Sequence, residues 1–235
     1  MSGLPRRVVS LVPSLTEAVA VSAPGLLVGV TDWCTHPADL DVQRVGGTKN
    51  PDVAAVIALR PDLVIANEEE NRPVDLEQLA AAGIEVDVTN VRTVDEGIAE
   101  LRRVLASLGV APAWLDEAAE VWGRPYDGER RTAVVPIWRR PWMALGRDTF
   151  AGDLLARLGI DNVLASSTER YPRFDPGSLA RVDLAVLPDE PYRFAADDGP
   201  EAFAVPSALV SGRHLTWYGP SLVEARAVLT AELGS

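Results

Sequence analysis

The apolar positions of the first ninety residues fall into short continuous runs separated by amphipathic stretches. "RRVVSLVP" is a β-branched run that reads as a buried strand. "SLTE" follows, with Ser14 placed as an N-cap and Glu17 three residues on, a capping box that opens a helix to about Ala23. "LLVGV" (26–30) predicts a second strand, and 31–49 an irregular segment. Asn50-Pro51 then cap a helix to about Leu59. "DLVIA" (62–66) is a third strand, "PVDLEQLAAAG" a helix ending at Gly83, and "IEVDV" (84–88) a fourth strand. Strands alternating with helices predict a parallel sheet with crossover helices.

From Thr93 the period becomes helical for nearly thirty residues, with a break near Gly109–Pro112. Strands resume at "RTAVVPIW". A second α/β pattern follows: a helix over 150–158, a strand near 162–165, the strand "DLAVLP" (183–188), a short strand "RHLTW", and a last helix from about Ser221. The fold class expected is α/β, with two Rossmann-like parallel-sheet lobes joined by a connecting helix. The boundaries are 1–94 for the N-terminal lobe, 95–125 for the connecting helical segment and 126–235 for the C-terminal lobe. "LRPDLVIANEEEN" (59–71) can be laid on "ARVDLAVLPDEPY" (180–192), pairing Arg60 with Arg181, Asp62 with Asp183 and Glu69 with Glu190. Either a duplication or the sameness of short parallel-sheet units accounts for this echo.

Composition narrows the function classes. The chain has 235 residues, 47% of them hydrophobic, and a net charge of −12. That suffices for one large or two small cores. An acidic chain without a basic block argues against nucleic acid and anionic membranes as partners. A single cysteine excludes an internal disulfide. Arg6-Arg7 before an apolar run resembles a secretory leader, but Ser10, Pro13, Ser14, Thr16 and Glu17 interrupt the run, where a leader needs about 7–15 apolar residues. No stretch of about 20 apolar residues offers a membrane span. The expectation is a cytoplasmic protein, or an extracytoplasmic one if a leader has been removed.

The familiar catalytic signatures (G-x-S-x-G, a Walker A loop, G-x-G-x-x-G, H-E-x-x-H) are missing, so no catalytic residue is assigned. "TDWCTHP" (31–37) holds the one cysteine beside a histidine. Extended backbone would point Cys34 and His36 the same way. Thiolate and imidazole suit zinc, copper or iron, and the acidic turns at Glu68–Glu70 and Asp189–Glu190 are the expected source of further ligands, with Glu69 named as the third. The competing reading is a packed thiol and a histidine bonded to backbone. Trp33, Trp138, Trp142, Trp217 and Tyr218 all fall at strand ends or just after them, where they can line a cleft for a planar ligand or pack a core. Trp114 and Trp122 lie on the connecting helices and read as packing. Two acidic turns, Glu68–Glu70 and Asp189–Glu190, end equivalent strands, with Lys49, Arg147 and Arg193 as nearby cations. They suggest an acidic rim for a flat ligand carrying positive charge or a metal.

"RVVSLVPSLTE", "VGVTDWCTHP", "RVGGTKNPD", "LRPDLVIANEEEN" and "AAAGIEV" together resemble the helical-backbone (class III) periplasmic substrate-binding proteins of ABC importers. The similarity is to the cobalamin-receptor-like branch, whose members often lack an evident signal peptide. "PWMALGRDTFAGDLLARLG" and "LTWYGP" extend it across nearly the whole chain. The resemblance implies a ligand groove between the lobes, no catalysis and no required cofactor. The ligand class it implies is a corrinoid, haem or iron-siderophore chelate, and the partner an ABC importer membrane component. It implies ligand contacts at Ser14, Trp33, the "GGTKN" turn, Trp138, Trp142 and the "TWYGP" loop. With the residue-based candidates, the ligand-binding set is Ser14, Trp33, His36, Lys49, Glu69, Trp138, Trp142, Arg147, Glu190, Trp217 and Tyr218. The alternative is a cytosolic metal-ion-binding or sensory protein with Cys34, His36 and Glu69 at the metal. "PAWLDEAAEVWGRP" is about three turns shorter than the family's bracing helix, on the order of 15 Å of strut.

Overall fold

The computed structural model describes residues 3–179 and 182–234; Arg181, half of one pair in the internal echo, lies outside them. The chain divides into two compact units. Unit 1 comprises Met1–Asn90, Ile98–Asp116 and Tyr218–Pro220, and unit 2 comprises Val91–Gly97, Glu117–Trp217 and Ser221–Ser235.

In unit 1 the apolar runs become strands β1 (Val8–Ser10), β2 (Leu27–Val30), β4 (Leu63–Asn67) and β5 (Glu85–Thr89), with a short β3 (Gln43–Arg44). They form a five-stranded sheet in the order β3-β2-β1-β4-β5. Every pairing is parallel, with Val8 opposite Leu27 on one side and Leu63 on the other. Helices α1 (Pro13–Ser22), α2 (Val53–Ala58) and α3 (Pro73–Ala81) are the crossovers. Val9, Leu11, Val45, Val56, Val64 and Leu79 form a fully buried cluster, which is why β1 and β4 read as continuous apolar runs: both faces are covered. Gly83 ends α3 as expected. Its φ of +81° is a left-handed conformation that costs glycine nothing. Gly83 N bonds Ala80 O at 2.9 Å and Ile84 N bonds Leu79 O at 3.2 Å, a Schellman closure.

Three local expectations change. Ser14 does not cap α1. Val12 is the cap residue, without a side-chain bond, and Pro13 opens the helix, so Ser14 and Glu17 both sit inside it and are buried. α2 is capped by Asp52, whose carboxylate accepts from Ala55 N, not by Asn50-Pro51. The stretch 31–49 is not wholly irregular, because Gln43–Arg44 adds an edge strand to β2. Two exposed polar residues carry no apolar signature, and backbone pairing alone makes this strand.

The stretch after Thr93 forms α4 (Val94–Ser107) and α5 (Ala113–Gly123), with the break at Gly109 (φ +79°). Trp114 donates to Ser22 Oγ at 3.0 Å in unit 1, and Trp122 donates to Leu222 O at 2.8 Å in unit 2, so both pack as their helical position suggests. Unit 2 holds β6 (Arg131–Val134), β9 (Ile160–Asn162), β10 (Leu184–Pro188) and β11 (Ser207–Val210), a parallel sheet in the order β11-β10-β6-β9. "RTAVVPIW" supplies two strands: β6 in that sheet, then β7 (Pro136–Arg139), which pairs antiparallel with β8 (Trp142–Ala144). α6 (Phe150–Ala156) starts at Thr149, whose side chain accepts from Gly152 N. "RHLTW" is not a strand but most of α7 (Gly212–Thr216), capped by Ser211. The strand is the four-residue "SALV" just before it, which starts directly after Pro206 and is too short to announce itself. α8 (Leu222–Glu232) closes the chain.

Trp122 is 1% exposed, so Trp122→Ala leaves a large cavity and removes the indole's bond to the Leu222 carbonyl. Urea unfolding is expected to show a loss of about 3–5 kcal/mol. Trp122→Phe, which fills most of the volume and lacks the donor, is expected to lose less than half of that.

Candidate functional site

Ligands of parallel α/β sheets bind beyond the carboxyl ends of the strands, and in unit 1 the candidate residues gather there. After β1, Ser14 is buried in the first turn of α1. After β2 comes "TDWCTHP", which is a turn rather than an extended strand: Cys34 N bonds Thr31 O at 3.2 Å. The turn throws Trp33 outward, 67% exposed, and sends Cys34 inward, fully buried. Cys34 Sγ lies 3.0 Å from Thr16 Oγ1 and 3.2 Å from Thr31 Oγ1. Arg44 donates to the carbonyls of Thr31 and Cys34 at 2.9 and 2.7 Å, tying the turn to β3. Burial pushes the Cys34 thiol above its ordinary pKa, opposed by hydrogen bonds from Thr16 and Thr31. His36 is half-buried, with Nδ1 3.0 Å from Thr35 Oγ1.

The expected metal set of Cys34, His36 and Glu69 is therefore corrected. Among the described residues no three of His, Cys, Asp and Glu are grouped to hold an ion. The thiol faces hydroxyls in the core, where forming the thiolate is opposed by desolvation. Alternate side chains share a face only on extended backbone, and here the backbone turns at Thr31–Cys34.

Two asparagines that sequence reasoning passed over organise the remaining loops. Asn71 is buried; its amide donates to Thr48 O at 3.0 Å and Leu11 O at 3.3 Å, and its Oδ1 accepts from Asn67 N at 2.8 Å. Asn67 accepts from Glu69 N at 2.9 Å and donates to Tyr218 Oη at 2.9 Å. Thr89 Oγ1 lies 2.9 Å from the same phenol and donates to Ala66 O at 3.0 Å. With the threonine proton spent on Ala66, Tyr218 donates to Thr89 and accepts from Asn67. Burial raises the Tyr218 pKa far above its usual value, so the phenol stays neutral. Tyr218 is thus 5% exposed and serves as a bolt between the ends of β4 and β5. Exposed Lys49 donates through Nζ to the carbonyl oxygen of Glu69, so it braces the acidic turn through the backbone. The signal was present in "IANEEEN", whose two asparagines flank the acids that drew attention.

In unit 2 the aromatic candidates have partners. Trp142 stacks on Phe194 with centroids 5.9 Å apart and planes 4° from parallel. Phe203 and Phe174 meet it at 5.5 and 6.0 Å, and the Arg139 guanidinium lies 5.4 Å from its ring. Arg139 also pairs with Asp198 and Glu201. Trp142 is largely committed to this cluster, whereas Trp138 is 44% exposed with its edge against Tyr192 at 5.6 Å. Arg147 is exposed and 3.5 Å from Asp148.

Asp189 and Glu190 differ sharply. Asp189 Oδ1 accepts from Gly212 N at 2.7 Å. Glu190 lies against Gly212, where a Cβ would come 2.3 Å from its Cγ, and its Oε1 is buried without a hydrogen-bond partner. Burial first, and then the Asp189 charge, raise the Glu190 pKa; a bond from Trp217 and the charge of Arg213 oppose the rise. Trp217 is 8% exposed, with Arg213 5.9 Å from its ring. Glu190 and Trp217 are therefore paired with each other inside unit 2.

A sequence profile described as periplasmic binding protein matches residues 8–187. The vitamin B12-binding protein of Pectobacterium carotovorum subsp. carotovorum is 25% identical over 247 residues, 98% of this chain and 89% of its own length. An ABC transporter substrate-binding lipoprotein of Bacillus subtilis is 26% identical over 216 residues, covering 86% of this chain and 66% of its own. Among solved structures, the periplasmic vitamin B12-binding protein of Vibrio cholerae gives a TM-score of 0.79 at 17% identity, covering 98% of this chain and 97% of that one. A periplasmic heme-binding protein of Pseudomonas aeruginosa gives 0.76 at 24% identity, covering 99% and 94%. At these identities the solved structures speak to fold.

Two measurements follow from this geometry. The single thiol is expected to resist a disulfide reagent at about pH 8 in the native protein and to react fully in denaturant, while Cys34→Ser leaves bound metal unchanged; rapid native labelling would contradict the burial. Glu190 has a raised folded pKa, so its favourable contribution is complete below the ordinary carboxylate pKa and lost as pH rises through the raised value. Glu190→Gln should therefore melt higher than wild type at about pH 7–8, and the gap should close below about pH 4. A gap independent of pH would mean packing, not ionisation, sets it.

Proposed function

This chain belongs to the periplasmic binding protein family, and we propose that it is the substrate-binding protein of an ABC importer for a metal-chelate small molecule of the corrinoid, haem or iron-siderophore type. The observation that carries the reading is the alignment with the Pectobacterium carotovorum vitamin B12-binding protein, which spans 98% of this chain. Each unit has one exposed indole in a segment that follows a parallel strand, Trp33 in unit 1 and Trp138 in unit 2, and an exposed indole is a surface suited to stacking on a flat ligand. In this role the chelate is cargo, so the protein needs no resident cofactor and performs no catalysis. Its partner is the importer's membrane component; no described helix is long and apolar enough to cross a membrane itself. A net charge of −12 disfavours nucleic acid.

We place the protein outside the cytoplasm, in keeping with the family and with the Bacillus subtilis lipoprotein relative. The cytoplasmic expectation rested on the broken apolar run at the N-terminus. That run is β1 and the start of α1, so it is part of the fold and says nothing about a leader. The alternative of a cytosolic ion-binding protein loses its main support with Cys34 buried on two threonines.

Titration of the purified protein with cyanocobalamin, iron protoporphyrin and a ferric siderophore tests the reading by tryptophan fluorescence and native mass spectrometry. One equivalent of at least one chelate is expected to bind. At ligand about 100 times Kd the stabilisation is about 2.7 kcal/mol, a rise in Tm of roughly 5–11 °C. Unchanged mass, emission and Tm with all three would remove the proposal.

A further inference from the structure

A third chain segment runs beside the hairpin of β7 and β8. Met143 bridges Arg173 in antiparallel pairing. Ala144 N bonds Pro172 O at 3.1 Å, Gly146 N bonds Arg170 O at 2.8 Å and Phe174 N bonds Trp142 O at 3.3 Å. Within the hairpin, Trp138 lies opposite Met143 and Arg139 opposite Trp142. Residues directly opposite across antiparallel strands share a face, and consecutive residues alternate. Two rows result. Arg139, Trp142 and Phe174 make one, and Trp138, Met143 and Arg173 make the other.

The first row is turned to the core of unit 2. Ala144, on the same face as Trp142, is fully buried in an apolar cluster against which Phe174 packs, and Trp142 stacks on Phe194. The second row therefore points away from that cluster, although the Trp138 ring also meets Tyr192 edge-on at 5.6 Å and presents only its remaining surface to solvent. Trp138 is 44% exposed, Arg173 is exposed and Met143 half-buried, with Arg140 exposed at the hairpin tip.

Charge separates the rows as well. Arg139 on the inner row is matched by Asp198 and Glu201. Among the described residues no carboxylate pairs with Arg140 or Arg173, although the chain carries twelve more acidic than basic side chains, 34 against 22. An indole and a thioether beside two guanidiniums without internal partners complement a flat apolar ring with an anionic edge.

We propose that the outward row of Trp138, Met143 and Arg173 selects, among the flat chelates of the function proposed above and resting on that reading, ligands whose rim carries carboxylates. The indole and the Met143 thioether cover the ring face. Arg173 forks onto a rim carboxylate, and Arg140 supplies a second positive charge at the tip. A ligand whose rim carries only amides or esters gains the apolar contacts and loses the ionic ones.

The test compares iron(III) protoporphyrin IX, its dimethyl ester and cyanocobalamin, titrated against wild type, Arg173→Ala, Arg173→Gln and Trp138→Ala. Wild type is expected to bind the diacid about tenfold more tightly than the diester. Both Arg173 variants lose about tenfold for the diacid and less than twofold for the diester, while Trp138→Ala weakens both alike. Arg173 is exposed, and unchanged thermal melts of its two variants confirm folding. Equal affinity of wild type for diacid and diester, tighter binding of cyanocobalamin than of the diacid, or an equal effect of Arg173→Ala on diacid and diester would overturn the inference and leave the proposed function standing. Failure of wild type to bind these probes or a ferric siderophore would overturn the proposed function, and the inference with it.

Discussion

A parallel sheet leaves the loops at its carboxyl ends with backbone groups that no ladder satisfies, and buried groups of that kind must find partners. In unit 1 two side-chain amides meet this demand. Asn71 reaches the carbonyls of Leu11 and Thr48 and the amide of Asn67. Asn67 takes up Glu69 N and the Tyr218 phenol. The loops after β1 and β4, the "GGTKN" turn and the end of β5 are held by this one network. The placement of Ser14, Lys49 and Glu69 depends on it. Removing either amide would strand several buried groups at once, each at a cost of about 1–3 kcal/mol.

Unit 2 solves the corresponding problem with rings and charge. Its parallel sheet has four strands, and the β7–β8 hairpin lays an aromatic face over the adjoining core. Arg139 joins that face to the segment after β10, because its guanidinium touches the Trp142 ring and pairs with Asp198 and Glu201. Tyr192 donates to the second oxygen of Asp198 at 2.6 Å. A partly buried guanidinium with two carboxylates is fully used, so it contributes position rather than a free charge. Arg173 on the opposite row and Arg140 at the hairpin tip are exposed and have no carboxylate partner among the described residues.

Residue types that look alike in the sequence therefore do different work. Trp33 and Trp138 are exposed, while Trp122 and Trp217 are buried and Trp142 is committed to its neighbours. Glu69 accepts a lysine through its backbone carbonyl, and Glu190 is held in a pocket that favours its neutral form. The turn at Asp189–Glu190 carries less free charge than its sequence suggests, since Asp189 is spent on Gly212 N and burial pushes the Glu190 pKa up.

The sequence by itself determined the α/β class, the parallel pairing, the helix stops at Gly83 and Gly109 and the family. These rest on local signals: continuous apolar runs, glycine in left-handed conformation, and ordered motifs spread over the whole chain. It did not determine the fate of "TDWCTHP", because a single turn at Thr31–Cys34 decides which side chain faces the core and which faces water. Nor did it find Asn67, Asn71 and Thr89 as a set, since their partners lie up to 151 residues away. β3 and β11 escaped because two- and four-residue strands exist only through their neighbours' backbone. Tertiary structure decided which tryptophans are spent in packing and which arginines are left unpaired, since burial and pairing are properties of side chains brought together by the fold.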